Sequence, residues 1–359
     1  MKVLHQRYPA PLVLTAAAAL AVIVILGLAR GLSFQGDEWA YIGLRHLTLE
    51  SMLQPHNEHL AFLHVLVYRG LVEAIGTGSY LPFLAVLMAC HVAMAAGVYA
   101  LLRRAVASEA AVAGAVLLLF LGSGFDNLLW AFQIGFVGAA ALGVWALVAA
   151  DRPMLSAGLL TAALWTQGDA LFYVAPVALL IADRRWLALP VVSYAAWLLL
   201  VGRESVPLPP PGPFLEYVVR LVGSVVGGAA GFGPLAGLVV GGLIAGALVA
   251  RRTMPSRFVV GGILGLASMA IVLAIGRAHF GPEQAEAPRY IYVGLPFVLM
   301  VLTGIRAPRP AWAAAFALAL ALNVWALPRG VAIYSAFLNY DRSLTMEERL
   351  APFQIDARH

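Results

Sequence analysis

Apolar residues in this chain come in long unbroken blocks rather than in strand-like alternation or narrow helical stripes. The first, Pro11–Ala29, contains no charged residue. A bilayer's hydrocarbon core takes about 20 helical residues to cross. Comparable blocks over 10–29, 79–102, 109–122, 128–150, 154–166, 169–182, 186–201, 234–250, 258–276, 290–305 and 310–327 predict about eleven crossings. Two segments break the pattern. Asn57–Gly76 carries Glu58, His59, His64, Arg69 and Glu73, and Phe214–Phe232 carries Glu216 and Arg220. So many polar groups suit a helix at a membrane surface better than a lipid-exposed span. The expected fold is all-α, a polytopic helical bundle over 1–327. Its first outer loop spans 31–78 and includes a surface helix, and a short outer tail over 328–359 is expected to be solvated at Asp341–Arg349.

Composition agrees. The chain is 62% hydrophobic and 11% charged, with a mean hydropathy of +0.87, outside the range of soluble domains. The net charge of +5 sits in short loops, which argues against nucleic acid as a partner. Arg103-Arg104, Asp151-Arg152, Asp183-Arg184-Arg185, Arg251-Arg252 with Arg257, and Arg306 with Arg309 close or open apolar blocks, and the positive-inside rule puts them in the cytoplasm. The N-terminus, with Lys2 and Arg7, reads as an uncleaved anchor on the same side, and the tail falls outside. Asp37, Glu38, Glu50, Glu58, Glu73, Asp126, Asp169, Glu204, Glu216, Glu283 and Glu286 then collect on the outer side. Cys90 is the only cysteine, so no disulfide forms within the chain. There is no P-loop or dinucleotide fingerprint, so any chemistry belongs to the outer face. An Ala-, Gly- and Arg-rich composition with almost no lysine points to a GC-rich bacterial genome, and so to a bacterial inner membrane with a periplasmic site.

Four short patterns carry a resemblance. Asp37-Glu38 opens the first outer loop with Tyr41 after it. His56-Asn57-Glu58-His59-Leu60-Ala61-Phe62-Leu63 precedes the surface helix. Gly158 to Asp169 ends in the turn Thr166-Gln167-Gly168-Asp169, and Pro288-Arg289-Tyr290 with Pro296 opens a late span. Together they resemble the GT-C superfamily of integral-membrane glycosyltransferases, in the aminoarabinose-transferase and protein-mannosyltransferase branch. The sequence departs from that pattern where His59 replaces a phosphate-meeting lysine, where Leu60 and Ala61 replace two prolines, and where Gln167 replaces a turn lysine. The resemblance implies a polyprenyl-phosphate-linked sugar as donor, a lipid or glycan acceptor reached from the membrane, and an inverting transfer with Asp37 at the reacting centre.

Such a transfer needs a carboxylate to take the acceptor's proton and cations to hold the departing phosphate. Asp37 fits the base, with Glu38 as fallback base or a like-charged neighbour that tunes it. Arg289 suits a bidentate phosphate clamp, with His59 and, more weakly, Arg277 and His279 beside it. The largest outer-face pocket is expected to be lined by Asp37 and at least one of His59 and Arg289. Tyr290 reads as an interfacial aromatic or as a donor hydrogen bond. Asp126, Trp130 and Gln133 fall on one side of a helix and read either as a sugar pocket or as an N-cap with an interfacial Trp. Asp169 reads as an N-cap. His56, Glu58 and His59 with Asp37 admit a divalent metal, although the spacing completes no ligand set, and the site is read without one. Cys90 and His91 read as packing residues, and Gly223–Gly233 as a close helix approach. The rival class is a transporter or a flippase for lipid-linked sugars; no internal repeat supports it.

Overall fold

The computed structural model describes residues 10–57, 59–202 and 208–355, and no strand occurs among them. Lys2, Arg7, Glu58 and Glu204 lie outside the described residues. The chain runs through α1 (Ala10–Leu28), the short α2 (Glu38–Gly43) and α3 (Leu49–Leu53), α4 (Phe62–Ile75), α5 (Leu81–Leu102) and α6 (Ser108–Leu119). It continues with α7 (Asp126–Leu129), α8 (Ile134–Val148), α9 (Pro153–Thr166), α10 (Val174–Leu180), α11 (Ala188–Leu200), α12 (Pro211–Ala229) and α13 (Pro234–Ala250). The last elements are α14 (Arg257–Arg277), α15 (Pro288–Leu302), α16 (Arg309–Ser343) and α17 (Met346–Ile355).

Among the described residues five helices are long and apolar enough to cross a membrane: Ala10–Gly31, Leu81–Leu102, Ala131–Val148, Arg257–Phe280 and Arg309–Ser343. The pair α12 and α13 meets the same test only jointly, bent by 88°. Ser108–Leu119, Pro153–Thr166, Gly168–Leu180 and Pro288–Leu302 are apolar but shorter. At 1.5 Å per residue a 14-residue helix spans about 21 Å, less than the roughly 30 Å hydrocarbon core.

The basic loops gather at one end of the bundle. Arg104 donates to the carbonyls of Leu147 (3.1 Å) and Val148 (3.0 Å) at the close of α8. Ala182 N–H donates to Ala150 O at 2.9 Å, which ties the start of the α9–α10 hairpin to its end. Arg257 at the start of α14 donates to Leu179 O, and Arg251 after α13 donates to Gly304 O after α15. Arginine side chains at this end therefore satisfy carbonyls that helix C-termini leave unpaired. The loop before α4, the Gln167–Asp169 turn and the α14–α15 connection lie at the other end.

Three sequence expectations change. The surface helix starts at Phe62, because His56 and His59 pair across a tight turn, His56 N–H to His59 O at 3.0 Å and the reverse at 3.1 Å. Asn57 takes the left-handed φ of 48° inside that turn, a conformation asparagine tolerates. The expected span 128–150 is broken at its start. Gly122–Gly124, α7 and Ala131–Gln133 are separate short turns, with Trp130 extended between them (φ −110°, ψ 113°). Asp126, Trp130 and Gln133 therefore do not share one helix face. Asn323 of α16 pins the Gly122–Gly124 turn ahead of α7: its Oδ1 accepts from Ser123 N (3.0 Å) and Oγ (2.8 Å).

The tail is also different. α16 runs unbroken through Pro328 for 35 residues, about 52 Å, so it projects well past a bilayer core. Asp341 is buried and not solvated: Trp39 Nε1 donates to its Oδ2 at 3.1 Å, and Arg349 pairs with it at 3.3 Å. α17 then folds back on α2, with Leu350 against Gly43. Within Gly223–Gly233 the glycines serve close approach as expected: a Cβ would come within 2.7 Å of Pro234 O at Gly223 and 2.5 Å of Gly233 O at Gly227. A Cβ on Gly237 of α13 would collide with the carbonyl oxygen of Gly223 in α12, so the 88° corner closes only on glycine.

Candidate functional site

The two adjacent acids of the first loop have opposite environments. α2 places Glu38, Ala40 and Tyr41 inward. Glu38 is fully buried, accepts from Tyr68 OH (2.8 Å), Tyr80 OH (3.0 Å) and Gln35 N–H (2.9 Å), and holds the loop onto α4 and α5. Burial pushes its pKa up to about 8, against the hydrogen bonds, which lower it. In this arrangement its carboxylate is enclosed and anchors the loop to α4 and α5. Asp37 heads α2 without capping it and stays 29% exposed. Its Oδ2 accepts from Asn57 Nδ2 at 3.4 Å and lies 4.0 Å from His56 Nε2.

The anchor makes a prediction. Glu38 ionises more readily unfolded than folded, so its contribution to stability is complete below the ordinary carboxylate range and is lost as pH rises through about 8. Thermal unfolding of detergent-solubilised protein should show stability falling between roughly pH 5 and 8, and Glu38→Gln should flatten that fall. Parallel pH profiles for the two proteins would remove the anchor role.

The His56–His59 turn carries the site from Asp37 to the α14 terminus. Arg277 Nη2 donates to Asn57 O (3.4 Å) and lies 3.3 Å from His59 Nε2. The His59 ring packs on Gly168, where a Cβ would come within 2.6 Å of Nδ1. Burial first, then the charges of Arg277 and His56, hold the His59 pKa below its ordinary range. His59 is therefore neutral near pH 7, and the positive charge at this place belongs to Arg277.

Beyond Gly168, Asp169 is buried with Oδ2 unpartnered, within electrostatic reach of both Arg277 and Arg289. It does not cap a helix; it lies inside the Gly168–Tyr173 turn. Arg289 sits over the Tyr290 ring at 5.3 Å and within reach of Asp126, with Nε buried and unbonded. Tyr290 is buried, not an interfacial aromatic. Asp126 accepts from Tyr334 OH at 2.8 Å. Trp130 packs on Gly36 beside Asp37, and Gln133 is buried near Asn127 (3.4 Å). His91 bridges Tyr292 OH (2.7 Å) and Leu119 O (3.3 Å) inside the bundle.

Asp37, His56, His59, Arg277, Asp169 and Arg289 thus form one linked polar assembly, with Trp130 and Asp126 at its margin. Buried polar atoms of Gln167, Asp169, Gln133, His56 and Arg289 within or around it make no hydrogen bond in the structure. Native interiors leave few such atoms, so this concentration marks a place where water or a ligand belongs. Sequence reasoning missed the tyrosine cradle of Glu38, the place of Asp169, and the tail residue Phe353, stacked 6.2 Å from His56. Among the described residues no group of three His, Cys, Asp or Glu side chains could hold a metal ion. Two cavities, of about 290 and 210 Å3, lie at the basic end and touch none of these residues. At the opposite end the side chains of Arg277, His59 and Phe353 pack within or against the assembly. No family model, no curated protein and no solved structure matches this chain.

Proposed function

We propose that the chain is a membrane glycosyltransferase that moves a sugar from a polyprenyl-phosphate donor to an acceptor at the face bearing Asp37, with inversion. The observation that supports this most is the single turn His56–His59, with a solvent-reached carboxylate on one side and a guanidinium on the other. A base and a phosphate-holding cation must flank one anomeric carbon. Asp37 takes the acceptor hydroxyl proton as the new bond forms. Arg277 and Arg289 hold the phosphate as the bond from the anomeric carbon to its oxygen breaks. His56 and Asn57 orient Asp37, and Trp130, Tyr290 and Asp126 border the sugar. The needed test is single-turnover transfer by purified protein in nanodiscs over a panel of polyprenyl-phosphate sugars; no transfer from any of them sinks the reading.

In this reading the apolar helices make about eleven passes through a bacterial inner membrane, with the arginine-rich end in the cytoplasm and the Asp37 end in the periplasm. A cysteine at position 104 in a Cys90→Ser background should be labelled only from the cytoplasm, and one at position 76 only from outside. Outside-only labelling at 104 would invert or break the topology.

A transporter or lipid-linked-sugar flippase is the second reading. The broken turns from Gly122 to Gln133 and the 88° corner of α12 and α13 favour it, because carriers build sites from interrupted helices. Uptake or flipping of a lipid-linked sugar by proteoliposomes, without glycosidic cleavage, would decide for it.

A further inference from the structure

The cavity of about 290 Å3 at the basic end is lined by Arg251, Thr253, Met254, Ser256 and Gly304, among others. Among the described residues no carboxylate borders it. Every charged residue in the two loops that frame it is an arginine: Arg251, Arg252 and Arg257 in one, Arg306 and Arg309 in the other. Arg251 is held in place by the Gly304 carbonyl. Arg252 takes a left-handed φ of 51°, a conformation few residues other than Gly, Asn and Asp adopt. Ser256 Oγ accepts from Val259 N–H at 3.3 Å, and the Arg257 and Phe258 amides at this terminus have no partner within the helix.

The surface next to the cavity is equally one-sided. α13 contains no polar side chain. Leu235, Val239, Leu243 and Val249 are 81, 64, 69 and 78% exposed. At 100° per residue these positions fall in one stripe that runs down α13 to the cavity, where Met254 is 95% exposed. An apolar stripe ending at a cationic, hydroxyl-bearing hollow matches the two halves of a phospholipid.

We propose that this cavity binds the phosphate of an anionic ligand, which the adjoining stripe identifies as an anionic phospholipid lying along α13. The phosphate meets Arg251, Thr253 and Ser256, Arg252 and Arg257 supply further charge, and one acyl chain follows Val249, Leu243 and Val239. The site is separate from the Asp37 assembly and does not depend on the glycosyltransferase reading.

Native mass spectrometry of the full chain, released from detergent with phosphatidylglycerol, phosphatidylcholine or inorganic phosphate, tests it. The expected result is retention of phosphatidylglycerol over phosphatidylcholine by at least about fivefold, since one arginine near an anionic surface is worth about that factor. Arg257→Gln and Thr253→Glu should each lower retention about fivefold or more. Arg185→Gln, a control on the same end, should leave it unchanged. Thr253→Glu leaves the Arg251–Gly304 bond intact, so it reports on the cavity even if arginine variants fold poorly. Displacement of the lipid by millimolar inorganic phosphate would keep the anion site but assign it to a free phosphate. Equal retention of the two lipids, or an equal loss in Arg185→Gln, would overturn the proposal.

Discussion

Asp37→Asn is expected to lower single-turnover sugar transfer by about 10²–10⁴-fold, the usual worth of a general base. Asparagine keeps the shape of the side chain and can keep its contact with Asn57, but cannot accept the acceptor's proton. Helical content and thermal unfolding should stay near wild type, because Asp37 is 29% exposed and caps nothing. Glu38→Gln should do the reverse. Its carboxylate is enclosed by Tyr68, Tyr80 and Gln35, so its loss should appear in the pH dependence of unfolding, with chemistry altered only through the position of the loop. If Asp37→Asn transfers sugar at the wild-type rate, Asp37 is not the base. If Glu38→Gln instead abolishes transfer in a protein of unchanged stability, the assignment of the two acids is wrong.

That contrast is half visible in the chain. In a helix, positions three apart share a face, and Glu38 with Tyr41 is such a pair; both are buried while Asp37 is not. The apolar blocks are legible for a similar reason, since a long unbroken apolar run in hydrocarbon satisfies its backbone within a helix, and each block is mainly helical. What fails is the assumption that a block is one helix. Gly122 and Gly124, either side of Ser123, signal the turn ahead of α7, but the group that pins that turn, Asn323, lies 200 residues away, and no local pattern marks the extended Trp130. Asp341 reads as solvated from its polar neighbours in the tail. Its burial depends on Trp39, 302 residues earlier, a contact that no local pattern encodes. Asp169 reads as a cap from its place after a glycine, whereas its surroundings come from Arg277 and Arg289 on other elements.

Arg277→Gln is expected to raise the half-saturating donor concentration by about 10–100-fold, the loss of one charge-assisted hydrogen bond to phosphate, with a smaller effect on the rate at saturation. The reasoning starts from His59. In the proposed glycosyltransferase reading it stands where a phosphate-meeting lysine is expected, yet burial and the neighbouring Arg277 keep it neutral, so it cannot hold an anion by charge. Arg277 lies 3.3 Å from its Nε2 and reaches the turn from the end of α14. A guanidinium there restores the cation from a different element. An interaction made with donor phosphate before and during transfer acts mainly on binding. Arg277→Lys should recover part of the affinity, because the charge returns without the planar fork. His59→Gln, which removes no charge at neutral pH, should change donor affinity much less than Arg277→Gln. If the His59 variant loses donor affinity as strongly as the Arg277 variant does, the cation has been assigned to the wrong residue. If neither variant shifts donor affinity while Asp37→Asn still abolishes transfer, the phosphate is held by Arg289 alone.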